Sequence, residues 1–213
     1  MMKMMNKGIL MVISGFSGAG KGTLVKELMK TYDNYALSIS MTTRKPRPGE
    51  MHGKEYFFAD REAFEEKIAQ NGLIEYAEYC DHYYGTPRDY VEAQLNAGKD
   101  VILEIEIQGM HKVKKMFPQM LSLFVTPPSA AELVHRLRAR GTETEEVIAQ
   151  RIRRAAEEAD CMEDYDFIVI NDNLTECVKE IHSIAMASKC MPVRSGDFIK
   201  NIREEIKVFS KGE

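Results

Sequence analysis

Residues 14–23, SGFSGAGKGT, put four glycines and one lysine between an apolar run, ILMVI (9–13), and a helix-like segment, LVKELMKTY (24–32). Glycines let successive backbone N–H groups turn inward as an anion nest. A helix starting directly afterwards adds the partial positive charge of its N-terminus. Gly15, Gly20 and Lys21 occupy their places in the pattern G-x-x-x-x-G-K-[ST], in the strand–loop–helix context the pattern requires. Gly15, Phe16, Ser17, Gly18, Ala19, Gly20, Lys21, Gly22 and Thr23 therefore form a candidate phosphate cradle, with Lys21 as the neutralising charge. The hydroxyl that the pattern places after the lysine is displaced. Gly22 stands there and Thr23 follows, so the residue that usually ligates magnesium directly is missing, and Thr23 is left near the phosphates.

A donor cradle does not name the acceptor. The segment SISMTTRKPRPGEMHGKEYFF (38–58) holds Arg44 and Arg47 three residues apart, then Tyr56. Two guanidinium forks and a phenol suit a monophosphate dianion. The same residues also read as a solvated basic loop. Thr86 precedes Pro87, with Asp89 three residues after it, which is good chemistry for a helix start. Thr86 is thus a cap, a ligand, or both. Tyr83 and Tyr84 are adjacent, and on a strand only one of them can line a pocket. The five histidines, His52, His82, His111, His135 and His182, follow no metal or triad spacing.

These residues need a scaffold. Apolar runs at 9–13, 101–107, 121–125 and 166–170 have the character of strands buried on both faces of a parallel sheet. Helical spacing recurs over about 22–32, 87–97, 108–117, 129–140, 145–161 and 173–189. The alternation predicts an α/β fold, a parallel-sheet P-loop core with helices on both faces and right-handed crossovers. Residues 35–86 differ, with short strand-like pieces, one short helix and many tyrosines, and read as a small, mostly β insertion. RARGTETEE (138–146) is a charged break between two helices and suggests a lid over about 136–151. Residues 196–209 carry apolar side chains at helical spacing and predict a docked C-terminal helix. The expected organisation is one domain, its core formed by about 8–34 and 87–190.

The chain has 213 residues, 44% hydrophobic and 29% charged, the balance of a globular protein. Its net charge of −4 argues against a general nucleic-acid binder while allowing a local basic pocket. Cys80, Cys161, Cys177 and Cys190 form no C-x-x-C pair, so a reducing cytoplasm is expected and no disulfide framework. The N-terminal apolar run is too short for a leader and enters the glycine loop directly. No stretch is long enough to span a membrane. Oligomeric state, monomer or homo-oligomer, is left open.

The segments TTRKPRPGEMHGKEYFF, LIEYAEY…HYYGTP, LEIEIQG and RGTETEEVIAQRI, together with the glycine loop, resemble the guanylate kinase family in order and spacing over roughly residues 8–190. The resemblance implies transfer of the ATP γ-phosphate to GMP or dGMP, with magnesium as cofactor. It implies that Arg44, Arg47, Tyr56 and Tyr84 hold the acceptor phosphate, and that Ser40, Glu75 and Thr86 face the guanine. It puts Glu104 and Glu106 at the end of a central strand, near the base, the phosphates and the metal. Thr23 and Glu104 become candidate magnesium partners, through water. Arg136, Arg140 and Arg151 would flank the lid and reach the ATP phosphates, and Asn171 would lie near the adenine. Guanine presents N1–H and an exocyclic NH₂ side by side, which one carboxylate accepts, and this fits Glu75. One position departs from the family pattern: Glu106 replaces the usual aspartate and carries the charge about 1.5 Å further out.

Overall fold

The structure is a computed structural model that describes residues 7–79, 81–139 and 144–210. Strand β1 (Leu10–Gly15) is buried at every position from Leu10 to Ser14. Successive side chains on a strand point to opposite faces, so unbroken burial means that both faces are covered. β7 (Asp100–Glu104) and β8 (Leu121–Thr126) share the pattern. They flank β1 in a five-stranded sheet of order β2-β7-β1-β8-β9, completed by β2 (Tyr35–Leu37) and β9 (Phe167–Ile170). Every pairing in this sheet is parallel, with Val12 opposite Leu103 on one side and Ser122 on the other. Parallel neighbours need crossovers, and helices α1 (Lys21–Thr31), α3 (Arg88–Asn96), α4 (Ile107–Met116), α5 (Ala130–Ala139), α6 (Glu145–Ala159) and α7 (Leu174–Lys189) lie in them or close the sheet. The expected α/β parallel-sheet core is what forms.

A second sheet, of order β4-β3-β6-β5, is built from β3 (Met41–Thr42), β4 (Phe57–Phe58), β5 (Leu73–Tyr79) and β6 (His82–Pro87). Helix α2 (Arg61–Ala69) lies between β4 and β5 in the chain and supplies Phe64 to a small separate core with Met41 and Leu73. Tyr83 stacks on Phe64 with ring centroids 5.1 Å apart, so it is the packing member of the tyrosine pair. The insertion begins later than its expected start at residue 35. Tyr35–Leu37 pairs with β7 in the main sheet, and three residues are too few for their sheet to be read from pattern alone.

Two further expectations are corrected. The run at 101–107 is not one strand: β7 ends at Glu104 and α4 starts at Ile107. Ile105 and Ile107 have strand character, but the Glu106 carboxylate accepts the Gly109 N–H at 3.0 Å and caps the helix instead. The C-terminal segment does form a helix, α8 (Gly196–Ser210), yet none of its residues is buried and Phe209 is 79% exposed. Its apolar periodicity is real, but docking does not follow from it. No helix among the described residues is long and apolar enough to cross a membrane.

Candidate active site

Strand β1 delivers the glycine loop to the end of the central sheet, and α1 begins at Lys21. Gly20 is the N-cap of α1, at φ 91°, where a side chain is strained; a Cβ there would also meet Asn171 Nδ2 at 2.6 Å. Lys21 Nζ donates to the carbonyls of Gly15 at 2.6 Å and Phe16 at 3.0 Å, which lays the ammonium across the loop. Phe16 and Ala19 turn their side chains into the core, Phe16 edge-on to Phe124 at 4.9 Å. Only their backbone groups can serve a phosphate. Gly18, Gly20, Lys21, Gly22, Thr23 and Glu104 line a recess of about 360 Å³. A Cβ placed on Gly22 would lie 3.8 Å from both Glu104 carboxylate oxygens, an ordinary contact, which puts this position directly beside that carboxylate.

The loop opens into a larger cavity of about 770 Å³. Here Lys21 of α1, Ser40 and Tyr56 beside the second sheet, Glu104 of β7, Glu106 at the cap of α4 and Arg151 of α6 line one space. Arg44 and Tyr84 stand behind Tyr56. The Arg44 guanidinium lies 5.3 Å from the Tyr56 ring centroid, and the Tyr84 ring 6.0 Å from it. Arg47 is exposed on the same loop. Glu75 accepts a hydrogen bond from the Thr86 hydroxyl at 2.7 Å, and Thr86 is wholly buried. Burial raises the Glu75 pKa above the ordinary glutamate value, while the Thr86 bond and Lys112 partly offset this and Glu106 adds to it. Thr86 is no helix cap: the N-cap of α3 is Pro87, whose side chain has no polar atom, and the Thr86 hydroxyl donates to Glu75 instead.

Helices α5 and α6, which flank the expected lid, reach the glycine loop through two arginines. Arg136 donates from Nη2 to the Asn171 carbonyl at 2.9 Å and from Nη1 to the Ala19 carbonyl at 3.4 Å, while its Nε is held by Glu132 at 2.7 Å. Arg151 donates to the Ser17 hydroxyl. Arg140 lies outside the described residues. Asn171, expected beside the adenine, is buried and donates its amide to Ala19 O at 2.7 Å. Its side chain is engaged with the loop backbone.

The family model for guanylate kinase matches residues 7–188 of this chain. The chain belongs to the guanylate kinase family. It is 51% identical over 185 residues to the guanylate kinase of Desulfitobacterium hafniense, covering 87% of this chain and 92% of that one. It is 47% identical over 204 residues to that of Caldanaerobacter subterraneus, covering 96% and 99%. Among solved structures, guanylate kinase from Anaplasma phagocytophilum superposes with a TM-score of 0.68 at 32% identity, over 89% of this chain and 90% of that one.

Several residues that shape this guanylate kinase site escaped sequence reasoning. The β5–β6 register shifts between Leu73 and Tyr76, a bulge that spans Glu75 and re-aims it. Gly85 makes the close strand approach possible: a Cβ there would meet the Glu75 carbonyl at 2.8 Å and Tyr76 Cβ at 2.9 Å. Glu50 pairs with Arg44 through both carboxylate oxygens. Arg154 of α6 lines the large cavity and lies 3.7 Å from Glu106. Only Glu50 had a local signal, since it sits in the quoted PRPGE stretch; the others depend on register and tertiary placement.

Proposed function

We propose that this chain transfers the γ-phosphate of ATP to GMP and dGMP, yielding ADP and the corresponding diphosphate, and so serves purine nucleotide recycling and GTP supply. The observation that carries this reading is the shared cavity. Lys21 of the donor loop, Ser40 and Tyr56 of the acceptor side, Glu104 at the end of β7, Glu106 at the cap of α4 and Arg151 of α6 line one space of about 770 Å³. A donor and an acceptor bound there would be neighbours, and phosphoryl transfer asks mainly for alignment and charge neutralisation.

In this mechanism the backbone N–H groups of 15–23, the α1 N-terminus and Lys21 hold the donor phosphates. Arg44, Arg47, Tyr56 and Tyr84 hold the acceptor phosphate, whose oxygen is already an anionic nucleophile, so no general base is assigned. Glu75, aimed by Thr86, accepts guanine's N1–H and NH₂, with Ser40 at the same base. Arg136 and Asn171 brace the loop at Ala19, and Arg151 brings charge from the lid. Closure keeps water, the competing acceptor, out of the site.

The donor set fits magnesium. Glu104 and Thr23 border the same recess, and no cluster of three or more His, Cys, Asp or Glu exists among the described residues. Magnesium in kinases is typically held by one or two carboxylates, substrate phosphates and water; Glu104 would supply the carboxylate and Thr23 a hydroxyl beside it. When bound, the ion would neutralise charge on the donor phosphates.

The test is a coupled assay with ATP and a panel of GMP, dGMP, AMP, CMP and UMP. GMP and dGMP should be used far faster than the others. Preference for AMP or a pyrimidine nucleotide would refute the reading.

A further inference from the structure

Arg44 and Glu50 form an end-on pair. Arg44 Nη1 donates to Glu50 Oε2 and Nη2 to Oε1, both at 2.9 Å, with the side chains only 13% and 18% exposed. Arg44 Nη1 also donates to the Lys45 carbonyl at 2.8 Å. Glu50 Oε2 accepts a further bond from the Arg47 backbone N–H at 2.8 Å, and the Glu50 N–H donates to the Arg47 carbonyl at 3.0 Å. The guanidinium lies 5.3 Å from the Tyr56 ring centroid and 5.9 Å from that of Phe58.

A guanidinium offers two edges for bidentate bonding, one between its terminal nitrogens and one between Nε and a terminal nitrogen. Glu50 takes the first, and Lys45 O takes the remaining proton on Nη1. The Tyr84 phenol, itself assigned to the acceptor phosphate, is the other side-chain partner of this guanidinium, so the Nε–Nη2 edge carries no second carboxylate and can receive an anion beside that phenol. We propose that Glu50 is a positioning residue for the acceptor phosphate. It clamps the terminal edge of Arg44 and the backbone of Arg47, and so presents the Nε–Nη2 edge of Arg44 and holds the 44–50 loop in shape before substrate arrives. This rests on the acceptor reading above.

The geometry distinguishes a clamp from a competitor that the phosphate displaces. A competitor would be held by the side chain it gives up. Glu50 is held also by a backbone amide, and releasing it would open the loop that carries Arg44 and Arg47. A carboxylate bonded by three N–H groups is a stable fixture, and charge-assisted bonds of this kind fix geometry as well as energy.

The test is calorimetric titration of GMP and of guanosine into the wild-type protein, Glu50→Ala, Glu50→Gln, Arg44→Ala and the Arg44→Ala/Glu50→Ala double variant. Guanosine has the base but no phosphate, so it reports the rest of the acceptor site. Glu50→Ala should weaken GMP by about tenfold or more and guanosine by less than about twofold, and Glu50→Gln, which keeps one acceptor oxygen, should recover part of the loss. In the Arg44→Ala background the second substitution should add less than about twofold, because both act through one contact. GMP affinity unchanged or tighter in Glu50→Ala overturns the clamp, as does an equal loss for guanosine or full additivity in the double variant. Wild-type protein that binds GMP no better than guanosine would overturn the acceptor reading itself, and the clamp with it.

Discussion

Replacing Glu75 by glutamine tests the base reader with almost no change of shape. In the wild type the Thr86 hydroxyl, 2.7 Å away and wholly buried, fixes one carboxylate oxygen. The amide oxygen of Glu75→Gln would keep that bond, which turns the NH₂ toward guanine's own two donors. Net contributions of about 1.5–3 kcal/mol per charge-assisted bond, partly retained, give a loss of about 2–4 kcal/mol. At about 1.36 kcal/mol per decade this is roughly 30- to 900-fold in kcat/KM for GMP. AMP, which offers an acceptor at N1, should lose less or gain. Measuring kcat/KM for both acceptors in both proteins decides it, and an unchanged GMP/AMP ratio refutes Glu75 as the reader. The pH dependence gives a second readout. Burial, the largest cause, raises the Glu75 pKa. Guanine needs the ionised form, so guanosine affinity should fall as pH drops through that raised value, and Glu75→Gln should abolish this limb. For stability the sign is opposite. A carboxyl with a raised folded-state pKa favours the fold while protonated, fully so below its unfolded pKa, and that contribution is lost as pH rises through the folded value. From the ordinary glutamate value of 4.5 upward, unliganded wild type should therefore lose stability relative to Glu75→Gln, as followed by denaturant melts.

Arg151→Ala removes the lid's bond to Ser17 and should lower kcat on the order of 10²-fold, with GMP affinity measured without ATP little changed; equal losses in both would refute a closure role. Gly85→Ala would drive a methyl into the Glu75 carbonyl and Phe64, costing about 1–3 kcal/mol of stability and raising KM for GMP more than KM for ATP. Removing residues 196–213 should shift Tm by less than about 2 °C and leave kcat unaltered, since α8 buries none of its residues; a larger fall in Tm or a loss of activity would show that α8 supports the fold or the site.

What was legible followed the range of the interactions that encode it. The phosphate cradle is contiguous: its glycines and its lysine lie within ten residues and run straight into the helix they open, although Arg136, Arg151 and Asn171 from distant elements brace it. The central strands were legible because burial on both faces leaves an unbroken apolar run. Glu75 could be matched by resemblance, but its aim depends on a bulge in β5, a glycine on β6 and the hydroxyl of Thr86, eleven residues away along the chain. None of these declares itself before the two strands are paired. Asn171 was assigned to a base because its motif lies near one in the family. The structure engages its amide with Ala19, 152 residues earlier, a contact made when β8 brings β9 beside β1.

Helix α8 marks the opposite limit. Its apolar side chains recur with the period of a helix, and a helix forms. Periodicity fixes which residues share a face, because that is a property of the backbone. It says nothing of what the face meets, which is a property of the surrounding surface. The same distinction explains Glu106. Its neighbours Ile105 and Ile107 carry strand propensity, but a carboxylate within reach of the Gly109 N–H ended the strand and began a helix. The outcome also holds that carboxylate 3.7 Å from Arg154 of α6, so the cap of α4 and the wall of the large cavity are the same residue. An aspartate is itself a good N-cap, so Glu106→Asp would keep the cap of α4 and shorten only the reach to Arg154.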